Sequence, residues 1–228
     1  MRPPANPFSR TLYGKGHATD RLALVDYHRH LELPLGLARF HIDMATFLTV
    51  GHSNRSLDEF VEMLREARIS LLIDVRSFPR SRTNPAFNIE SFPTALGDVQ
   101  IGYRHCPDLG GRRPKQKNVD ETINAFWRVQ SFHNYADYAL GDAFGAALSE
   151  VIRLGELYRL ALMCSEAVWW RCHRRIITDY LLFKGHYVDH LMALGRYERA
   201  RPTSGAVKSS DGQVTYPLAT TTKDGGAA

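Results

Sequence analysis

The sequence contains no run approaching 18 apolar residues, so no segment reads as a membrane-spanning helix, and no continuous apolar stretch near its start resembles the core of a secretory signal. Cysteine is scarce. There are three in 228 residues, an odd number that fits a reducing compartment better than a disulfide framework, and a cytoplasmic protein is expected. No Cys-x-x-Cys pair, no His-Glu-x-x-His helix and no internal repeat occurs, which excludes the standard zinc spacings and the solenoid architectures. What is present is ordinary in bulk. With 44% hydrophobic and 23% charged residues the chain is globular rather than disordered or fibrous. Basic residues exceed acidic ones by 29 to 24, and arginine dominates the middle of the chain. An anionic partner, nucleic acid included, is therefore expected, although a charge this small does not by itself establish one.

Residues 1–43 combine prolines with scattered His and Arg and show no apolar period, so they read as a poorly ordered extension ahead of the domain. The domain itself is expected over 44–200. Residues 201–228, rich in Thr, Ser, Gly and Ala, read as a flexible tail in which only 213–217 could form a short strand. Inside the domain the punctuation alternates. Thr46 to Val50 is a β-branched and aromatic run closed by Gly51, and Ser56 with Glu59 forms a capping signature for a helix carrying Leu57, Phe60, Val61 and Leu64 on one face. Leu71 to Arg76 reads as a second buried strand. A long loop is expected from Ser77 to about Gly97, then a short strand at Ile101 to His105 and a basic Gly-Gly loop over 110–118. One or two helices ending near Gly155, a strand at Leu160 to Cys164, a helix from Arg174 with Gly185 just past its end, and a strand at Tyr187 to Leu191 complete the domain. Strands alternating with helices define an α/β fold, a mainly parallel sheet with helices on both faces, Rossmann-like in layout.

In parallel sheets ligands collect beyond the carboxyl ends of the strands. Each predicted strand ends in chemistry: His52 to Arg55, Asp74 to Arg76, Tyr103 to His105, and Cys164 to Glu166. If the sheet is parallel these clusters share one edge. On that ground Asp74, Glu166, His52, His105 and Cys164 are candidate catalytic residues, and Arg55, Arg76, Tyr103, Cys172, His173 and Arg174 candidate substrate-binding residues. Taken singly each has a plainer role, Asp74 as an ion-pair partner of Arg76 or Arg55 and His105 as a core histidine.

The segment from Cys164 to Arg175 carries the most information. A buried strand ending in Cys and a helix opening with Arg resemble the anion-binding loops of rhodaneses and cysteine phosphatases, and Asp74-Val75-Arg76 also resembles a rhodanese strand end, so the layout is distantly rhodanese-like. The loop is longer than theirs, and Glu166, Trp169 and Trp170 stand where small residues would let backbone amides face an anion. A second reading is a metal site drawn from Cys164, Glu166, Cys172 and His173 with His52 or His105; the spacing is not a standard one, so no metal ligand is assigned, no cofactor is expected, and zinc is the ion these types would accept. A third is phosphate and base recognition by Arg76, Arg80, Arg82, Arg112, Arg113, Lys115, Lys117, Arg171, Arg174 and Arg175 near Trp169 and Trp170.

Taken together, Gly51-His52-Ser53-Asn54-Arg55, Asp74 to Pro79, Pro85-Ala86-Phe87-Asn88, Tyr103-Arg104-His105 with Leu109-Gly110-Gly111, and Cys164-Ser165-Glu166 with Cys172-His173-Arg174 resemble the Domain of Unknown Function 488 family over roughly residues 45–217. Val214 to Pro217 resembles the family's closing segment, and Ser165 stands where alanine is expected. The resemblance implies an α/β fold and a shared site built from these motifs, and no settled reaction. From chemistry, the expected function is an enzyme acting on a phosphate-bearing substrate, a nucleic acid or nucleotide. The alternatives are a nucleic-acid-binding module without catalysis, or cysteine or metal chemistry at Cys164 and Cys172.

Overall fold

The computed structural model of the chain describes residues 46–218, so the extension expected at 1–43 and residues 219–228 of the tail lie outside the described residues. β1 (Thr46–Gly51), α1 (Leu57–Glu66) and β2 (Leu71–Asp74) form the expected β-α-β unit. The side chain of Ser56 accepts a hydrogen bond from the Glu59 backbone N–H at 3.1 Å, and Asp58 and Glu59 sit in the first turn of α1, where carboxylates meet the positive end of the helix dipole. There follow α2 (Phe92–Asp98), β3 (Gly102–His105), α3 (Gln130–Ala139), α4 (Asp142–Leu157), β4 (Leu160–Cys164), α5 (Arg174–Phe183), β5 (Tyr187–Ala193), β6 (Arg196–Arg199) and a small hairpin of β7 (Val207–Lys208) and β8 (Val214–Thr215). Gly185, at φ +92°, takes the left-handed conformation that ends α5.

The main sheet has the order β3-β2-β4-β1-β5-β6, parallel throughout except for β6, which pairs antiparallel with β5 at the edge. The fold is α/β. Phe47, Ile73, Leu162 and Val188 point into a core shared with α3, α4 and α5, whereas Leu48, Val50, Leu72 and Met163 point into a second core with α1 and α2. Both faces are thus covered, which is why β1, β2 and β4 read as unbroken apolar runs rather than alternating ones. Among the described residues no helix is long and apolar enough to cross a membrane.

The structure departs from the expected elements in three places. The loop expected over 77–97 contains a helical turn at Pro85–Phe87 and the helix α2, both anchored in the second core by Phe87, Phe92 and Leu96. The edge strand β6 has no counterpart in the sequence reading. Residues 201–218 fold back onto the domain: Val214 and Tyr216 are fully buried, the Tyr216 hydroxyl donates to Asp179 Oδ2 at 2.9 Å, and the Tyr216 carbonyl accepts from the Phe126 N–H at 2.9 Å. Asp179 also accepts from the backbone N–H of Thr203 at 2.8 Å.

Tyr216→Ala is therefore expected to lower stability by about 3–5 kcal/mol, the usual cost of deleting a buried aromatic ring, and to lower the thermal midpoint by roughly 10 °C for a domain of this size. An unchanged midpoint would mean that this segment does not pack.

Candidate functional site

Strand register sets the site. Gly51 pairs with Cys164, and Asp74 pairs with both Met163 and His105, so the carboxyl ends of β1, β2, β3 and β4 stand in one row. Past the strands the loops remain paired: the His52 N–H donates to the Cys164 carbonyl at 3.0 Å and the Ser53 N–H to the Ser165 carbonyl at 2.9 Å. Gly51 makes this approach possible, since a Cβ there would lie 2.0 Å from the Glu166 carbonyl oxygen. Beyond this row opens a cleft of about 480 Å³, with Cys164, Cys172, His173 and His52 on its floor and Glu166, Arg80, Arg112, Arg171 and Phe78 around it. An adjoining groove continues past Asn54, Arg55, Thr83 and Asn84 and shares Glu166 and His52 with the cleft.

Asp74 lies behind the cleft, and its partner Arg76 lines it. Asp74 is fully buried and accepts from the backbone N–H of Arg76 at 3.0 Å, from its Nε at 2.9 Å and Nη2 at 2.6 Å, and from the Tyr103 hydroxyl at 2.7 Å. Arg76 in turn donates to the Phe87 carbonyl at 2.7 Å and meets His52 Nε2 at 3.2 Å. Asp74 does not line the cleft, and its lone pairs are occupied by a guanidinium, an amide and a phenol. Burial, then the Asp74 carboxylate, pushes the Tyr103 phenol well above its ordinary value and keeps it a donor. The His105 Nε2–H donates to the Arg76 carbonyl at 2.8 Å, also behind the cleft. Arg55 spends its guanidinium on the Gly51 and Met192 carbonyls, each at 2.6 Å, bracing β1 against β5.

His52 lines the cleft but is locked: its Nδ1 faces the Ser53 carbonyl at 2.9 Å and its ring stacks on Phe87 at 4.3 Å. Burial, reinforced by Arg76, lowers its pKa to about 4, so it is neutral near pH 7.

The thiols lie together. Arg174, 1% exposed, reaches back from the start of α5 to donate from Nε to Cys172 Sγ at 3.3 Å and from Nη2 to the Glu166 carbonyl, tying both ends of the loop between β4 and α5. Burial alone would raise the Cys172 thiol, but the hydrogen bond from Cys164 and the charge of Arg174 outweigh it and bring the pKa down to about 6. Cys164, which supplies that hydrogen bond and is itself buried, is pushed up to about 12. The His173 Nε2–H donates to the Val75 carbonyl at 3.0 Å, which turns Nδ1 toward Cys172 Sγ, its hydrogen-bond partner at 3.5 Å. The three ligand atoms of Cys164, Cys172 and His173 lie within 4.8 Å of one another, the set of this type found among the described residues.

The remaining basic and aromatic residues divide. Arg113 packs over Tyr138 and donates to the Gly110 carbonyl, Arg175 lies over Trp127 and donates to Thr203, and Lys115 pairs with Glu121, so all three are turned to local partners. Trp169 stacks on His190 at 4.4 Å. Arg80, Arg112 and Arg171 line the cleft from loops, Arg80 pairing there with Glu90, and Phe78 and Phe132 line the cleft too. The argument from strand ends leaves out both phenylalanines and these three arginines, because they come from loops; the basic Gly-Gly loop was the signal that pointed to Arg112.

An α/β domain whose strand ends, two buried cysteines and loop arginines meet in a single cleft is the class of protein that fold and site define. A family model described as domain of unknown function DUF488 matches residues 56–181, more than half of the chain, and the chain belongs to that family. The matched residues run from the cap of α1 into α5, so segments 51–55 and 214–217 fall outside them. Comparison with curated proteins and with solved structures gave no match.

Two measurements check this reading. Asp74→Asn places an amide N–H against the buried Arg76 guanidinium, and the loss should be about 3–5 kcal/mol, the cost of breaking one side of a buried pair; denaturant unfolding that shows no loss would mean that the pair does not hold the strand ends together. His190, buried beside Trp169 with Arg174 in range, has its pKa lowered to about 3 by burial first and by that charge second. In the unfolded chain it takes a proton near pH 6.5 and in the fold only near 3, so its contribution is complete above pH 6.5 and is lost as pH falls through that window. The wild-type protein should lose more stability than His190→Gln between pH 6.5 and 4, and parallel curves would refute the assignment.

Proposed function

We propose that the protein is an enzyme that binds a phosphate-bearing substrate, a nucleotide or single-stranded nucleic acid, in the cleft at the carboxyl edge of its sheet. One observation carries the ligand class. Phe78 is 68% exposed at the cleft, the Arg112 guanidinium lies 5.7 Å from its ring centroid, and Arg80 and Arg171 line the same cleft. A large aromatic ring left in solvent beside forked cations suits a base stacked on the ring with its phosphates on the arginines. Chemistry, as opposed to binding alone, is supported by the floor: two buried thiols and an imidazole are costly to keep at a surface that only binds. Glu166, exposed in the cleft wall, is the carboxylate with access to a bound substrate. The layout is read as Rossmann-like and distantly rhodanese-like at the Cys164 strand end, and the free thiols suit a cytoplasmic setting.

Fluorescence anisotropy of a labelled single-stranded oligonucleotide over a salt series is the test. Arg112→Ala and Arg171→Ala should each flatten the logarithmic salt slope by about 0.7, and Phe78→Ala should weaken binding roughly tenfold, within the range for one stacked base. No binding at low salt sinks the reading. Binding without product, across oligonucleotides and mononucleotides, replaces the enzyme with a binding module.

A further inference from the structure

We infer that Cys164, Cys172 and His173 form a binding site for a zinc-type divalent cation, open on one side to the cleft. The sequence gives no standard zinc spacing; it is the fold that collects the ligands. Cys164 ends β4, and Cys172 and His173 enter α5 eight and nine residues later, and the intervening loop returns because Arg174 bonds both Cys172 Sγ and the Glu166 carbonyl.

Four features suit a metal. The ligand atoms lie within 4.8 Å of one another, and Cys172 Sγ and His173 Nδ1 stand 3.5 Å apart; a tetrahedral ion with bonds of about 2.3 Å to sulfur and 2.0 Å to nitrogen needs a separation of about 3.5 Å. His173 gives its Nε2–H to the Val75 carbonyl, the outer contact that fixes the tautomer of a metal-binding imidazole and turns Nδ1 inward. The Arg174 Nε–H donates to Cys172 Sγ at 3.3 Å, a hydrogen bond that a metal thiolate also accepts. Finally, a Cβ on Gly111 would lie 2.4 Å from Nδ1, so the glycine is what leaves the ring its place.

Two thiolates and one imidazole make a soft donor set that favours zinc over magnesium or calcium. Three protein ligands leave a fourth position, which at catalytic zinc holds a water acidified toward neutral pH. All three ligand residues line the cleft, and so does the carboxylate-bearing Glu166. Metal binding itself does not depend on the ligand proposed for the cleft; only a role of the metal in turnover of that ligand rests on that reading.

The experiment is cobalt titration of the full-length protein after reduction and chelation, followed by absorption. The expected result is one cobalt per chain, with thiolate-to-cobalt charge-transfer bands and the intense visible bands of a four-coordinate ion, displaced by one equivalent of zinc. Cys164→Ser, Cys172→Ser and His173→Ala should each weaken cobalt binding at least tenfold, while Cys106→Ser, at a thiol outside the cluster, should leave it unchanged. Circular dichroism of each variant separates lost ligands from lost fold: a variant that stays folded and binds as tightly as wild type overturns the site, as does a reduced wild-type protein that takes up no cobalt. Oligonucleotide anisotropy on the metal-free protein reads the ligand proposal separately, so one can fail while the other stands.

Discussion

A guanidinium cannot be buried without cost unless its N–H groups are met, and in this fold the Arg76 guanidinium is met from three directions. Asp74 takes two of its nitrogens, the Phe87 carbonyl shares one, and His52 takes the third. These partners belong to different parts of the chain: β2 itself, the turn at 85–87, and the residue just past β1. Tyr103 on β3 completes the set through Asp74. One ion pair thus fixes the relative heights of three strand ends, and the row on which the cleft is built is as rigid as that pair. The same bonds keep Asp74 fully buried, with its oxygens turned to Arg76 and Tyr103 and away from the cleft, whereas the Arg76 guanidinium also lines the cleft.

The arginines fall into two populations. Arg55, Arg76, Arg113, Arg174 and Arg175 are turned toward carbonyls, rings, a carboxylate and a sulfur of the protein. Arg80, Arg112 and Arg171 sit on loops around the cleft. Net charge counts both populations alike, although the first is largely turned to the protein itself and Arg80 in the second pairs with Glu90, so the formal charge of +5 does not describe the cleft.

Much of the fold was legible because its cues are local or periodic. The apolar runs of β1, β2 and β4, the Ser56 cap and the Gly185 stop each act within a few residues, and parallel pairing then followed from the alternation of elements. What escaped was held by distant partners. Phe92-Pro93-Thr94-Ala95-Leu96-Gly97-Asp98 is a poor helix by composition, and it forms because Phe92 and Leu96 fill the second core. β6 is exposed at all four positions and has no apolar alternation; its backbone pairing with β5 alone makes it a strand. The short strand expected within 213–217 is β8, but the burial of Tyr216 was not legible, because Asp179, Asn124 and Trp127, which hold it, lie far away in sequence. At the site, the strand ends pointed to the right edge of the sheet, but not to which residues face outward. That is decided by side-chain partners such as Tyr103 for Asp74 and Val75 for His173, and no spacing rule encodes them.

Arg174 has a consequence for how such a loop can change. In compact anion loops the chain closes on itself through backbone amides, so every residue between strand and helix is committed and its number is fixed. Here closure is done by one buried side chain that grips the carbonyl of Glu166 at one end and the sulfur of Cys172 at the other. The spacing of the two thiols is thereby released from the length of the chain joining them. Residues near the exposed Trp170 form a stretch where insertions and deletions can accumulate across a lineage while the thiols keep their places, and in alignments loop length there should vary more freely than the identity of the arginine.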